Sequence, residues 1–343
     1  MTYRWDGNKK EDIRQAAEAL RHGQLVAFPT ETVYGLGANG LDPLSVKAIY
    51  EAKGRPSDNP LILHIYDKNQ AKALAREVTP LAEKIMDEFW PGPLTLVLPK
   101  DVCVPDCISG GRDTVAIRMP SNILARTLLR MTRIPIAAPS ANLSGKPSAT
   151  CAEHVWQDFD GRIYGIIDGG VCQVGVESTV LDLTVEPPVI LRPGAITAEM
   201  FKERLGLEVL QGGAKVGDKE IPKAPGMKYR HYAPKGKVLL AQGQGAELID
   251  DIKEKIAHAQ RPLGLMLSSE TLAALGEIPQ DITVRDLGSI NDLNKWAAEL
   301  FEVLRYFDQK EMATIIAEGC AYEKIGIAVM NRLTKACGGG EKV

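Results

Sequence analysis

Short apolar runs recur along the first two-thirds of the chain, separated by segments whose apolar positions return every three or four residues. Runs of the first kind read as buried strands and segments of the second as helices with one apolar face. Strands are expected at residues 25–28, 61–65, 94–98, 114–118, 134–137, 163–168, 177–183 and 189–194. A first helix is expected where Ile13, Ala16, Ala17 and Leu20 repeat ahead of Gly23, and a second opens at Asp42 and Pro43. Further helices are expected from Thr79 and Pro80 through Leu81, Ile85 and Phe89, from Ser121 to about Met131, from a capping box of Thr150 and Glu153 to about Asp160, and from Thr197 to about Leu205. Residues 29–40 and 99–112 read as loops.

The pattern changes at residue 211. From there to 237 the chain is rich in glycine, lysine and proline without an apolar period, and reads as a linker. Its middle, residues 224–234, is more aromatic and basic than a spacer requires and is expected to fold over a site as a lid. Beyond it, strands at 238–241, 263–267, 282–287 and 313–318 alternate with helices. The longest of these carries one stripe of Leu293, Trp296, Ala297, Leu300, Phe301, Leu304 and Phe307. The expected organisation is an α/β domain over 1–210, a linker or lid over 211–237, and a smaller α/β domain over 238–343 with a mostly parallel, Rossmann-like sheet.

Length and charge fit this division. At 343 residues the chain has room for two domains, and its 41 basic and 44 acidic residues nearly cancel. Such a balance gives no surface for coating a polyanion, so any nucleic-acid contact is expected to be local or indirect. No apolar run approaches the roughly 20 residues of a membrane helix, and the first residues lack a signal-peptide core, so a cytoplasmic protein without membrane contact is expected. Of six cysteines only Cys103 and Cys107 lie close in sequence, with no second pair to complete a zinc site, and reduced structural thiols are expected.

Candidate chemistry starts at residues 51–65. Lys53 and Arg55 flank Gly54 at the end of a helical pattern, and a polar turn between Pro56 and Pro60 leads into an apolar run broken by His64. The two cations suit a phosphorylated ligand, or they simply complement a helix C-terminus. Gly35, Gly37 and Gly40 form a G-x-G-x-x-G, but six residues separate it from the preceding strand, which argues against a nicotinamide-binding fingerprint. Residues 138–148 are dense in small hydroxyl and amide side chains, as a polar binding loop or a plain turn would be. Thr32, Lys53, Arg55, Asn59, His64, Thr114, Arg118, Ser140, Asn142, Ser178 and Arg192 all fall at strand ends or in loops. Four cations with several hydroxyls, and neither an activated nucleophile nor a metal cluster, suit binding of phosphates together with a small anion. No G-x-x-x-x-G-K-[ST] loop is present.

The segments 28–37, 53–61, 91–95, 115–118, 138–145 and 177–180 resemble the YrdC-type domain of threonylcarbamoyl-AMP synthases, and 225–234 with the C-terminal domain resembles their longer, two-domain form. The resemblance implies a YrdC-like twisted mixed sheet and a reaction of L-threonine, bicarbonate and ATP giving threonylcarbamoyl-AMP and diphosphate. It implies the first step of a tRNA threonylcarbamoyladenosine modification, with the product passed to a separate transferase complex. Carried over by position, Lys53, Arg55, Ser140 and Asn142 surround the nucleotide as the catalytic group, with Asn59, Thr114, Ser148, Arg192 and Tyr232 also on the ATP side. Thr32, His64, Arg118, Ala138 and Ser178 fall on the threonine side. Magnesium is expected with the ATP, and no organic cofactor. The rivals are an RNA-binding module, which near-neutral charge opposes, and a nicotinamide oxidoreductase resting on the displaced glycines.

Overall fold

The computed structural model describes residues 1–212, 222–224 and 231–338; the part of the expected lid at 225–230 lies outside the described residues. The chain divides into two units. The described residues of the first are 1–144, 148–212 and 222–224, and those of the second are 145–147 and 231–338.

The first unit runs β1 (Tyr3–Asp6), α1 (Lys10–Arg21), β2 (Val26–Phe28), β3 (Gly35–Asn39), α2 (Pro43–Lys53), β4 (Ile62–His64), α3 (Lys68–Leu74), α4 (Pro80–Phe89) and β5 (Leu94–Pro99). It continues through α5 (Asp106–Ser109), β6 (Thr114–Arg118), α6 (Ile123–Thr132), β7 (Ile136–Ala137), α7 (Ala152–Phe159), β8 (Gly165–Asp168), β9 (Thr179–Asp182), β10 (Val189–Arg192), α8 (Ala198–Leu205) and β11 (Leu210–Gln211). Its strands join in one twisted mixed sheet of 11, in the order β1-β8-β2-β3-β7-β4-β6-β5-β9-β10-β11.

The central strands face two different environments. Because side chains alternate along a strand, Leu63, Leu96, Leu98, Val115, Ile117 and Leu181 point into the main apolar core. The intervening positions Ile62, Val97, Ala116 and Val180 form a small separate cluster on the opposite face, joined among the described residues by the buried Ala224. The helices that the apolar pattern predicts thus serve mainly the first face. The second face carries the polar strand residues described below.

Local chemistry accounts for the helix ends. Asp42 accepts bonds from the backbone N–H groups of Leu44 and Ser45, with Pro43 at the first helical position, and Gly54 closes α2 at φ +60°. A side-chain cap of that kind contributes about 1 kcal/mol. Two expected caps differ from what is seen. Asn122, one residue beyond Ser121, caps α6 by accepting from Ala125 N–H. The Thr150–Glu153 box does not form: the backbone N–H of Thr150 is directed at His154 Nδ1, 3.2 Å away, and α7 starts beyond Cys151 without a side-chain cap.

Residues 29–40 are not wholly loop. Their second half is β3, antiparallel to β2 in the register Val26↔Gly37 and Phe28↔Gly35. A Cβ at Gly37 would lie 2.9 Å from the Phe28 ring and 3.1 Å from the Val26 carbonyl oxygen, so this glycine serves strand packing rather than a phosphate. Residues 99–112 similarly include the short helix α5. The sheet also continues into the expected linker, where β11 runs parallel to β10 through Gln211.

The second unit contains β12 (Lys237–Ala241), α9 (Ala246–His258), β13 (Leu263–Leu267), α10 (Ser269–Leu275), β14 (Ile282–Asp286), α11 (Leu293–Gln309), β15 (Thr314–Glu318) and α12 (Gly326–Ala336). All pairings in its four-stranded sheet, of order β12-β15-β13-β14, are parallel. Trp296, Ala297, Leu300, Phe301, Leu304 and Phe307 of the α11 stripe are buried, whereas Leu293 at its start is only partly so. Among the described residues no helix is long and apolar enough to cross a membrane.

Candidate active site

Register places the polar residues of the open face. β4 and β6 are parallel neighbours, with Ile62 opposite Ala116 and His64 opposite Arg118. β5 is antiparallel to β6, with Thr95 opposite Arg118 and Pro99 opposite Thr114, and β9 continues outward with Val180 opposite Thr95. Arg192 of β10 faces Val180 in turn. His64, Arg118, Thr95 and Arg192 therefore cluster at one end of these strands, and Thr114 lies at the other, roughly 13 Å away at about 3.3 Å per residue.

The Thr114 end receives the catalytic candidates. Lys53, 3% exposed, emerges from the last turn of α2 and donates from Nζ to the carbonyl oxygens of Ser140, at 2.6 Å, and of Asn142. The backbone returns the contact, since Ser144 N–H donates to the Lys53 carbonyl. Ser140 Oγ donates to Asn142 Oδ1, and an isolated bridge ties Ser140 to Gly35. This loop lies beside the entry to β4 because β7 is antiparallel to β4, and Ala138 N–H donates to the Ile62 carbonyl. On that entry Arg55 donates from Nε to the Asn59 carbonyl and from Nη2 to the Pro60 carbonyl, at 3.2 and 3.0 Å. The buried Asn59 Oδ1 has no hydrogen-bond partner among the described residues, leaving an acceptor beside Arg55. Lys53 and Arg55 thus do more than balance a helix terminus.

The other end holds the threonine candidates. Thr95 and Ser178 share a hydrogen bond of 2.8 Å, and Arg192 donates to the carbonyl and the hydroxyl of Ser178, at 3.1 Å each. Arg192, expected on the ATP side, is bonded here to a residue expected on the threonine side. Ser148 Oγ donates to Glu177, next to Ser178. The Thr32 hydroxyl lies 2.8 Å from that of Thr30, and the Thr32 carbonyl accepts from Gly175 N–H. His64 is fully buried with its ring edge-on to Phe28, and burial together with the nearby Arg118 charge pushes its pKa down to about 3. Its imidazole is therefore neutral at physiological pH.

Arg118, 4% exposed, meets a partner the sequence reading did not single out. Its Nη2 lies 2.7 Å from Oε1 of Glu31, itself 6% exposed. Burial pushes the Glu31 carboxyl up, but the guanidinium together with the backbone N–H groups of Glu31 and Ser121 outweighs it and holds the group below the usual carboxylate range. The charges meet without hydrogen-bond alignment: Nε and Nη2 of Arg118 and both Glu31 oxygens lack a hydrogen-bond partner among the described residues. Thr95 was likewise missed, hidden inside an apolar run. A Glu inside a threonine-rich turn carries no local sign that it will be buried.

Residues 222–224 reach the same open face. Ala224 is fully buried against Ile62, Val97, Ala116 and Val180, and Lys223 pairs with Asp182 at 2.8 Å. Tyr232 belongs to the second unit, where its ring stacks on Phe301 at 5.2 Å and lies 5.7 Å from the Arg332 guanidinium carbon.

Comparison with known proteins agrees with this architecture. Residues 18–194 match the Sua5–YciO–YrdC family model, described as telomere recombination, and residues 196–338 match the model of the threonylcarbamoyl-AMP synthase C-terminal domain. The chain is 47% identical over 333 residues to the threonylcarbamoyl-AMP synthase of Pyrococcus abyssi, covering 95% of this chain and 94% of that one. It is 48% identical over 332 residues to the Bacillus subtilis enzyme of the same name, covering 95% and 93%. The crystal structure of P. abyssi Sua5 complexed with L-threonine superposes with a TM-score of 0.91 at 48% identity, over 98% of each chain. With both domain models matched in order and such identity sustained along nearly the whole length, the chain belongs to the threonylcarbamoyl-AMP synthase family and is an enzyme of that kind.

Proposed function

We propose that the first unit condenses L-threonine, bicarbonate and ATP to threonylcarbamoyl-AMP and diphosphate, with the nucleotide at the Thr114 end of the open face and the amino acid at the Arg118 end. The observation that carries the reading is Arg118: its Nε–Nη2 edge is buried without an aligned hydrogen-bond partner, and a planar fork of that kind fits a carboxylate side-on. The relative complexed with L-threonine supports the choice of amino acid.

In this reading Lys53 and Arg55 lie along the phosphates, Asn59, Thr114 and Ser148 complete the nucleotide side, and Ser140 and Asn142 hold the ammonium of Lys53 in place. Magnesium enters as part of the MgATP substrate, and no organic cofactor is required. The carbamate formed on the threonine nitrogen attacks the α-phosphorus and expels diphosphate, and negative charge gathers in both steps. The cations act by electrostatic stabilisation and alignment, so no nucleophilic side chain is needed. Thr32, His64, Ala138 and Ser178 shape the amino-acid side. Arg192, bonded to Ser178, stands where it can serve both substrates, and Tyr232 is assigned to the ATP side by resemblance.

The segment 224–234 acts as a lid that keeps water from the mixed anhydride, a role supported by Ala224, buried against Ile62, Val97, Ala116 and Val180. The product serves the first step of tRNA threonylcarbamoyladenosine formation in the cytoplasm and passes to a transferase complex, without tight binding of tRNA by this chain. Purified protein incubated with threonine, bicarbonate and MgATP should yield the mixed anhydride by mass spectrometry. None should form when any one substrate is omitted, and its appearance without threonine would overturn the reading.

A further inference from the structure

Carbamate formation requires a neutral amine, whereas an amino acid arrives with its nitrogen protonated, so a group in the site must take that proton. Glu31 is placed for this. Its backbone is clamped, because the Glu31 carbonyl accepts from Val174 N–H at 2.8 Å and the next carbonyl, of Thr32, accepts from Gly175 N–H. Its carboxylate is buried against Arg118 at 2.7 Å with the backbone N–H groups of Glu31 and Ser121 acting on it, yet no partner among the described residues meets either oxygen in full hydrogen-bond alignment. Unspent bonding capacity in a buried ion pair is uncommon and calls for a ligand. An α-amino acid bears a carboxylate and an ammonium on one carbon and would use both halves of the pair.

We infer that Glu31 is the catalytic base of the amino-acid half-site, receiving the α-ammonium of the substrate while Arg118 receives its carboxylate. The proton passes from the ammonium nitrogen to a Glu31 oxygen. The freed lone pair forms the C–N bond to bicarbonate; a C–O bond breaks, and its oxygen leaves as water with the second nitrogen-bound proton. The inference rests on the proposed function of this site.

The groups around Glu31 fit the role. Arg118 on β6 is the adjoining cation, His64 on β4 is held neutral, and the Cys172 thiol beyond β8 is pushed up by burial and stays protonated. The substrate carboxylate shares the Arg118 charge when it binds, which raises the proton affinity of Glu31 just as the ammonium arrives. Glu31 also lines a polar cavity of about 1060 Å³ together with Ser121, Asn122 and Asp168, which gives the proton a way to solvent. Asp168 is itself paired with Arg4 at 2.9 Å.

The test is diphosphate release at saturating threonine, bicarbonate and MgATP from pH 6.5 to 9.5, for the wild type, Glu31→Gln and Glu31→Asp. Glu31→Gln should lose about 100-fold in kcat near pH 7. The deficit should narrow about tenfold per pH unit as free amine becomes available from solution, and Glu31→Asp should retain more activity than Glu31→Gln. A deficit that stays constant with pH, as mispositioning of Arg118 alone would give, overturns the inference; so does an undiminished kcat. Should a melting curve show Glu31→Gln unfolded, the Glu31→Asp deficit must narrow with pH in the same way, and a flat one counts against the base. Threonine binding to the wild type, measured by calorimetry, separates the two readings. Binding with a pH-independent deficit removes only the base, whereas no binding removes the site itself.

Discussion

Thr95 of β5, the register partner of Arg118, shares a hydrogen bond with Ser178, just ahead of β9, and both hydroxyl residues are fully buried. Thr95→Val keeps the shape and removes one partner, leaving part of the Ser178 bonding capacity unspent. Urea denaturation should show a loss of about 1 kcal/mol. The KM for threonine should rise severalfold while that for ATP holds; a rise in both would detach Thr95 from the amino-acid side.

Arg118→Lys replaces a planar fork by a point charge. Threonine affinity should fall at least tenfold, about 1.4 kcal/mol, with ATP affinity nearly unchanged in calorimetry. Equal losses for the two ligands would remove the carboxylate role.

Lys53→Met retains the length of the side chain and deletes its ammonium. The carbonyl oxygens of Ser140 and Asn142 lose a charged donor, which should cost roughly 1–3 kcal/mol of stability. Diphosphate release should drop by about 100-fold. Full activity in a correctly folded variant would place the phosphates elsewhere.

His64 gives stability a defined pH dependence. It stays neutral in the fold down to about pH 3, whereas its unfolded counterpart protonates below about 6.5. The contribution is complete above the unfolded value and is lost as pH falls from there toward 3, at up to about 1.4 kcal/mol per pH unit. Between pH 7 and 5 the wild type should lose about 2 kcal/mol more than His64→Gln in parallel denaturant titrations. Equal losses would mean that His64 titrates normally.

Gly194→Ala should disturb the amino-acid side from a distance. The added Cβ would lie 2.3 Å from Thr179 N and 2.8 Å from the Glu177 carbonyl oxygen, so backbone on both sides of Ser178 must shift. A lowered melting temperature and a raised threonine KM are expected. Unchanged values for both would show that the turn can yield.

The sequence shows much of this fold because its signals are local. Asp42, Pro43 and Gly54 bound one helix by backbone chemistry alone, and the apolar run around residues 114–118 matches β6 residue for residue. What stayed hidden depends on partners far along the chain. β1 exists because Tyr3–Asp6 can pair with Gly165–Asp168, and β3 is a strand because Gly37 fits under Phe28. Thr150 looked like a cap until His154 turned toward it. The same holds in the site: cations after strands are legible, whereas the burial of Glu31 follows from Arg118, 87 residues on, and the role of Thr95 from Ser178.

The alternation along β6 has an evolutionary corollary. Val115 and Ile117 are anchored in the helix-covered core while Thr114, Ala116 and Arg118 lie on the opposite face, so inserting a single residue would exchange the two sets and bury a guanidinium among leucines. Lineages that retune this enzyme are confined to point replacements at every second position of the strand, and changes of length must collect in the connecting turns.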